Sequence, residues 1–344
     1  MQHKKNYIAW AVDYHDFPEH GELLEQLHFL LRYGILAPSS HNSQPWQFKI
    51  VGDVIYLLNS ADRQLPWGDP DGRLRHIALG AALRNILVAA DYFGFDATYD
   101  LLPAEIPSAV AVVRVIKQRT VRVGNNHLLT VISKRSTNRN HYSLTMPPPA
   151  FFEAVRLKNT SSIHAVVLPM AQYGEKIADV VGEGIMSAMS KTGFRAEMSK
   201  YKKSNLTKSF VGMPGFDMGF STLMSLLLPS IIRFLPIAPL VKKKDGTLLK
   251  KHTPAVVVIS TATDEPRAWL EAGLQYGELI LVAEQLSLVT HFMAAAVVVG
   301  DCYKKLQAVT GSNFRPQVFF RVGFTPNTIP HSPRRTHEHC LTTV

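Results

Sequence analysis

A stretch that occurs twice constrains this chain more than its length or composition does. The 21 residues from Arg73, RLRHIALGAALRNILVAADYF, align without a gap on the 21 from Arg267, RAWLEAGLQYGELILVAEQLS, at an offset of 194. The leading Arg and the run Ile-Leu-Val-Ala coincide. Leu79, Leu83, Ile86, Leu87 and Ala90 recur at three-and-four spacing, which sets them on one face of a helix. Each copy is later followed by an apolar strand candidate, SAVAVVRVI at 108–116 and PQVFFRVG at 316–323. The repeated order of helix and then strand marks a duplicated unit. The expected organisation is a first half over residues 1–122 and a second over 123–344.

The other elements read as α+β. Residues 18–36 form an amphipathic helix with Leu23, Leu27, Leu30 and Leu31 on its buried side. WQFKIVGDVIYLL is either a strand pair or one long strand broken at Gly52-Asp53. HLLTVISKR and PAFFEAVRLK are short helices, the second entered through Pro147-Pro148-Pro149, where proline suits a helix start and forbids helix before it. HAVVLP and PAVVVIST are further strands, and AQYGEKIADVVGEGIMSAMSK is a helix. An apolar content of 46% over 344 residues supplies a sizeable core.

The net charge of +10 is unevenly placed. Residues 195–252 hold eleven Lys or Arg against three Asp or Glu, a net of +8, and the rest of the chain carries only +2. That segment surrounds the apolar stretch STLMSLLLPSIIRFLPIAPLV. Pro229, Pro236, Pro239 and the central Arg233 argue against a transmembrane span, since Arg costs roughly 2.5 kcal/mol or more at a helix centre. A cap over an apolar cavity, hinged at Gly212, Gly215 and Gly219, is the expected role, with weak membrane-surface contact as the other. Nucleic acid is not an expected partner, because the Lys residues flank aliphatic side chains and lack interleaved aromatics. The opening residues show no apolar run of signal-peptide length, so a cytoplasmic location is expected. Cys302 and Cys340 are too few for a disulfide framework and lack zinc-site spacing.

Familiar catalytic patterns are missing: the chain has no GxxxxGK[ST], GxSxG or HExxH, and GEGIMS at Gly182 fails the dinucleotide fingerprint at its last glycine. Three polar clusters stand out instead. In ILAPSSHNSQPWQF, Pro38 ends a helix, and the turn after it offers Ser39, Ser40, Asn42 and Gln44 with free backbone N–H groups, before Pro45 and Trp46 fix the start of a strand. A ligand loop and a capping loop with an aromatic anchor both account for it. His41 either tunes a ligand or is structural. In SKRSTNRNHY, Arg135 and Arg139 flank Ser136 and Thr137; two guanidiniums beside hydroxyls suit a phosphate, and a solvated basic turn is the alternative. PHSPRRTHEH presents Arg334 and Arg335 after Pro333, and its HEH is either a metal site or a solvated tail.

Taken with ADRQLPWGDPDGRLRHIALGAALRNILVAADYFGF, GLQYGELILVAEQLSL and PQVFFRVG, these motifs make the sequence similar to the nitroreductase family of FMN-dependent proteins. Within it, the chain resembles the single-chain, internally duplicated Acg-type branch. The resemblance covers most of residues 20–336 and leaves the basic segment least accounted for. It implies a nitroreductase-like α+β fold joined into a monomeric pseudo-dimer, with antiparallel-rich mixed sheets flanked by helices. Only the first half has the PSSHN loop and only the second has RSTNR and the Arg pair, so one composite FMN site per chain is implied. Pro38, Ser39, Ser40 and Asn42 would lie near the isoalloxazine and ribityl oxygens, with Gln44 close behind. Arg135, Ser136, Arg139, Arg334 and Arg335 would bind the phosphate. The implied activity is hydride transfer from NADH or NADPH through flavin N5 to a small nitroaromatic or quinone acceptor, with no protein acid or base required and no metal. The rival implication is a protein that sequesters FMN beneath a lid at about 195–252 and catalyses little.

Overall fold

A computed structural model describes residues 5–117 and 128–342, so the boundary expected at 122/123 lies outside the described residues. The first half contributes helices α1 (Leu23–Gly34) and α2 (Arg73–Tyr92). After them come α3 (Leu129–Ile132), α4 (Pro149–Arg156), α5 (Met170–Ser190), α6 (Thr192–Tyr201), α7 (Thr222–Phe234), α8 (Ala238–Lys251), α9 (Pro266–Gln285), α10 (Ala295–Val298) and α11 (Cys302–Thr310).

Two four-stranded sheets repeat one plan. Strands β1 (Trp46–Val51), β2 (Val54–Asn59), β3 (Phe95–Leu101) and β4 (Ala109–Lys117) stand in the order β1-β2-β4-β3. After β5 (Ile163–Pro169) the chain makes a two-residue pair, β6 (Lys202–Lys203) with β7 (Met213–Pro214). It then completes a second sheet with β8 (Ala255–Thr261), β9 (Val289–Phe292) and β10 (Arg315–Gly323), in the order β5-β8-β10-β9. In both sheets the long helix, α2 or α9, sits between the second and third strands, and the fourth strand inserts beside the second. The repeat in the sequence is thus a repeat of topology.

Several local expectations change. Both sheets are antiparallel throughout, not mixed, and parallel pairing between the described strands is confined to β6 with β7. WQFKIVGDVIYLL is a hairpin: Val51 pairs with Val54 across Gly52-Asp53, and Gly52 takes the positive φ of +59° that a two-residue turn needs. Helix α1 begins at Leu23 and not at residue 18, because the Gln26 side-chain amide bonds the carbonyls of Pro18, Glu19 and Gly21 and holds those residues in a turn. The HEH segment is solvated at Glu338 and His339 and is anchored just after them. Leu341 bridges Phe48 of β1, the Thr342 N–H donates to Phe48, and Cys340 is buried.

Burial explains the strand patterns. β8 is buried along its whole length because it has a core on each side: Ala255, Val257 and Ile259 join one apolar cluster, while Val256 and Val258 join the other with α5. The larger cluster contains residues of α1, α2, α9 and both sheets, so the two halves share it. Its centre is the crossing of α2 and α9, where backbones touch. A Cβ on Gly80 would stand 2.2 Å from the Leu270 carbonyl oxygen, and one on Gly273 would stand 2.3 Å from that of Ile77. No single helix among the described residues is long and apolar enough to cross a membrane; α7 and α8 pass that test only as a pair bent by 115°.

Gly273→Ala is expected to destabilise the protein by about 2–3 kcal/mol, because the obstructing atoms are backbone and the helices must separate. Gly246→Ala on α8, where nothing lies within 4 Å, should be neutral or gain up to about 1 kcal/mol from helix propensity. Urea denaturation midpoints check both, and equal midpoints for the two variants would refute the close-crossing account.

Candidate functional site

The turn between α1 and β1 is strained and externally held. His41, Asn42 and Gln44 all have positive φ, at 53°, 55° and 56°, a region that costs a non-glycine residue roughly 1–3 kcal/mol. Hydrogen bonds hold the shape. Ser39 Oγ accepts from the Gln44 N–H (2.9 Å). The Asn42 amide donates to the carbonyls of Gly212 (3.0 Å) and Pro333 (2.7 Å), and the Gln44 amide donates to Phe210 (2.6 Å). Segments from the basic region and from near the chain end therefore impose this conformation; the turn could not keep it alone.

Two adjoining cavities open along the turn. The larger, about 210 Å³, is lined on one side by Pro38, Ser39, Ser40 and His41 and on the other by Thr137, Arg139 and Lys202. Leu74, Ile77 and Ala78 of α2, with Tyr276 of α9, form its apolar wall. The smaller, about 50 Å³, shares Pro38, Ser39, Thr137, Arg139 and Met213 with it and adds Asn42, Arg135, Ser136, Asp217, Ser332 and Arg334. A water needs roughly 10–15 Å³ of such space. By that scale the smaller cavity accommodates a group with about four oxygens, such as a phosphate, and the larger on the order of 15–20 atoms, such as a fused-ring system.

Charge is distributed to match. Arg135 and Arg334 are only 4% and 3% exposed, and neither forms an ion pair among the described residues. Their guanidiniums donate to the Leu36 (3.2 Å) and Ala37 (2.8 Å) carbonyls, and the Arg334 Nε has no partner. Burial, reinforced by Arg135, pushes Arg334 down to about 9. Burial also pushes the Asp217 carboxyl up, against the pull of Arg139 and the hydrogen bond from the Ser332 hydroxyl. In the larger cavity burial, then Arg139, lowers Lys202 to about 7, and burial lowers His41 to about 3. The His41 ring stacks on Tyr201 at 5.7 Å and is neutral at physiological pH.

The clusters singled out in the sequence meet here, with exceptions. Pro38, Ser39, Ser40, Asn42, Arg135, Ser136, Arg139 and Arg334 all line one or both cavities. Gln44 and Arg335 line neither: the Gln44 Oε1 accepts the Arg335 N–H (2.9 Å), and the Arg335 guanidinium donates to the Gln44 (2.6 Å) and Trp46 (3.0 Å) carbonyls. Adjacency in sequence hides the difference, because consecutive residues of an extended segment point opposite ways. The apolar helix α7 lines neither cavity. From the basic segment, Lys202, Met213 and Asp217 before it line the cavities instead. The sequence reading missed Lys202, Asp217, Tyr276 and the α2 wall; the glycines flanking Tyr276 at 273 and 277 were the available signal for the last two.

No family model matches the chain. It is similar to two Mycobacterium tuberculosis proteins. "Putative NAD(P)H nitroreductase Rv3131" is 23% identical over 315 residues, spanning 90% of this chain and 89% of that protein. "Putative NAD(P)H nitroreductase acg" is 25% identical over 308 residues, spanning 87% and 90%. Among solved structures, a nitroreductase with bound FMN from Bacteroides fragilis matches with a TM-score of 0.38 and 11% identity, over 64% of this chain and all of that one. The resemblance to nitroreductases carried by the motifs thus extends along nearly the whole chain.

Lys202 yields a pH test. Its folded value lies well below the roughly 10.4 of an exposed lysine, so the unfolded chain binds the extra proton between about 7 and 10.4 and stability falls as pH falls through that window. Lys202→Met should be more stable than the parent by about 2 kcal/mol at pH 7, with the gap shrinking toward pH 10. Denaturation curves across that range check it, and a pH-independent gap would remove the buried-ammonium account.

Proposed function

We propose that the chain is an FMN-dependent oxidoreductase that takes hydride from NADH or NADPH and reduces an electron-poor aromatic acceptor of the nitro or quinone type. The observation that carries this reading is the convergence of Arg135, Arg139 and Arg334 on a phosphate-sized cavity that continues into a ring-sized one. Arg135 and Arg334 are buried guanidiniums without carboxylate partners among the described residues, and such donors suit a phosphate monoester. Bound there, FMN would supply hydride transfer at N5.

The protein's part is binding, orientation and charge. Arg135, Ser136, Arg139 and Arg334 would hold the phosphate, and Pro38, Ser39 and Ser40 would face the ring opposite Leu74, Ile77, Ala78 and Tyr276. Asn42, Gln44 and Arg335 brace the turn from behind. Lys202 and Arg139 place cationic character in the ring cavity, which favours acceptance of negative charge there. No side chain is assigned as general acid or base.

A second reading, sequestration of FMN with little turnover, is favoured by one observation. The segment that covers the cavities is bonded to the strained turn through Asn42 with Gly212 and Gln44 with Phe210. Anaerobic stopped-flow absorbance separates the readings: flavin bleaching with NADH or NADPH supports the oxidoreductase, and flavin that stays oxidised with both leaves sequestration.

Arg139→Ala removes at least one charge-assisted hydrogen bond, each worth about 1.5–3 kcal/mol, and should weaken FMN binding about 10- to 150-fold. Titration followed by flavin fluorescence measures it. Unchanged affinity would exclude Arg139 from the phosphate site.

A further inference from the structure

Helix α7 is apolar on the side that faces water. Leu223 (73% exposed), Leu226, Leu227 and Phe234 (71%) recur at helical spacing along one face, while Ser225, Leu228 and Ile232 are buried on the opposite side. Leu240 (68%), at the start of α8 beyond the bend, is exposed as well. A surface helix ordinarily turns polar residues outward. Between Asp217 and Asp245 the chain carries Arg233, Lys242, Lys243 and Lys244 and no acid, and all four are exposed on the same two helices or at their ends.

We propose that this corner docks on the surface of an anionic lipid bilayer, the ridge entering the headgroup boundary and the cationic rim meeting lipid phosphates. Charge selects this occupant: a second copy of the chain would set one Lys rim against another, whereas an anionic leaflet complements it. Geometry sets the depth. The helices have 13 and 14 residues, about 20 Å each at 1.5 Å per residue, against a hydrocarbon core of roughly 30 Å, and they bend by 115°. Such a corner lies in the interface and does not span it.

The docking face is the outer side of the layer that covers the cavities. The Ser225 hydroxyl accepts from the Asn205 N–H (3.0 Å), and its Cβ fills the space beside Gly215, two residues before Asp217 in the smaller cavity. A bilayer contact would therefore act on the cover from outside. The inference stands on the surface of α7 and α8 and is independent of what the cavities bind.

Co-sedimentation of the full chain with vesicles tests it. Vesicles of phosphatidylcholine with one third phosphatidylglycerol should pull the protein down at low salt; pure phosphatidylcholine or high salt should weaken this about tenfold or more. A Leu223→Ser, Leu227→Ser, Phe234→Ser variant and a Lys242→Glu, Lys243→Glu variant should each lose about tenfold. Circular dichroism confirms their folding, and if either fails to fold, the lipid and salt dependence of the parent chain decides. Parent protein that stays in the supernatant with every vesicle overturns the proposal. So does binding that survives loss of the ridge. A dimer in sedimentation velocity that the ridge variant dissolves, without vesicle binding, would assign the face to a second copy and overturn it too.

Discussion

Everything in this molecule is arranged around two helices that meet at their backbones. Because Gly80 and Gly273 have no side chains, α2 and α9 approach until carbonyl oxygens lie where a Cβ would be, and the two sheets close on one shared apolar cluster. The same crossing sets the width of the larger cavity. Ile77, whose carbonyl opposes Gly273, and Tyr276, between Gly273 and Gly277, both line its wall. Packing at the centre and the dimensions of the site are thus a single constraint.

The second organising feature is an electrostatic imbalance. Removing guanidiniums from water is costly unless they are paired or hydrogen-bonded. Arg73 is paired with Asp71 and Asp264 and bonds Gln317, leaving only its Nε without a partner, and stitches the N-terminus of α2 to the second half. Arg135 and Arg334 have no carboxylate partner among the described residues: each gives a guanidinium N–H to a backbone carbonyl and faces a cavity. Among the described residues, Arg321 and Arg335 are likewise buried and bonded to backbone carbonyls without a carboxylate, so it is facing the cavity that sets Arg135 and Arg334 apart.

The basic segment divides its tasks by position. Lys202, Met213 and Asp217 line the cavities and the carbonyls of Phe210 and Gly212 hold the strained turn, whereas α7 lines neither cavity and exposes an apolar stripe. Glu197 of α6 anchors this layer by accepting from the Trp67 and Gly68 N–H groups (3.0 and 2.8 Å). The cover is therefore tied to the first half at two places, and its outer surface is a separate chemical object from its inner one.

Much of this was legible in the residues. Periodicity and the repeat identified α2, α9, β4 and β10, since apolar spacing and turn residues are local signals. Residue type marked the PSSHN turn and the RSTNR and PRR segments as polar clusters, although hydroxyls and amides in turns serve capping as readily as ligand binding. What the residues could not convey was direction. Arg334 enters the cavity and Arg335 braces Gln44 because of how an extended segment lies on its neighbours; α7 looks like a cavity cover in composition and faces solvent in space. Lys202, Asp217 and Tyr276 join the site from elements distant in sequence, brought there by the helix crossing and the covering layer. Local pattern determined which elements form and which clusters are chemically unusual, while long-range packing decided which side chains share one enclosed space, since burial and orientation belong to the assembled fold and not to any single segment.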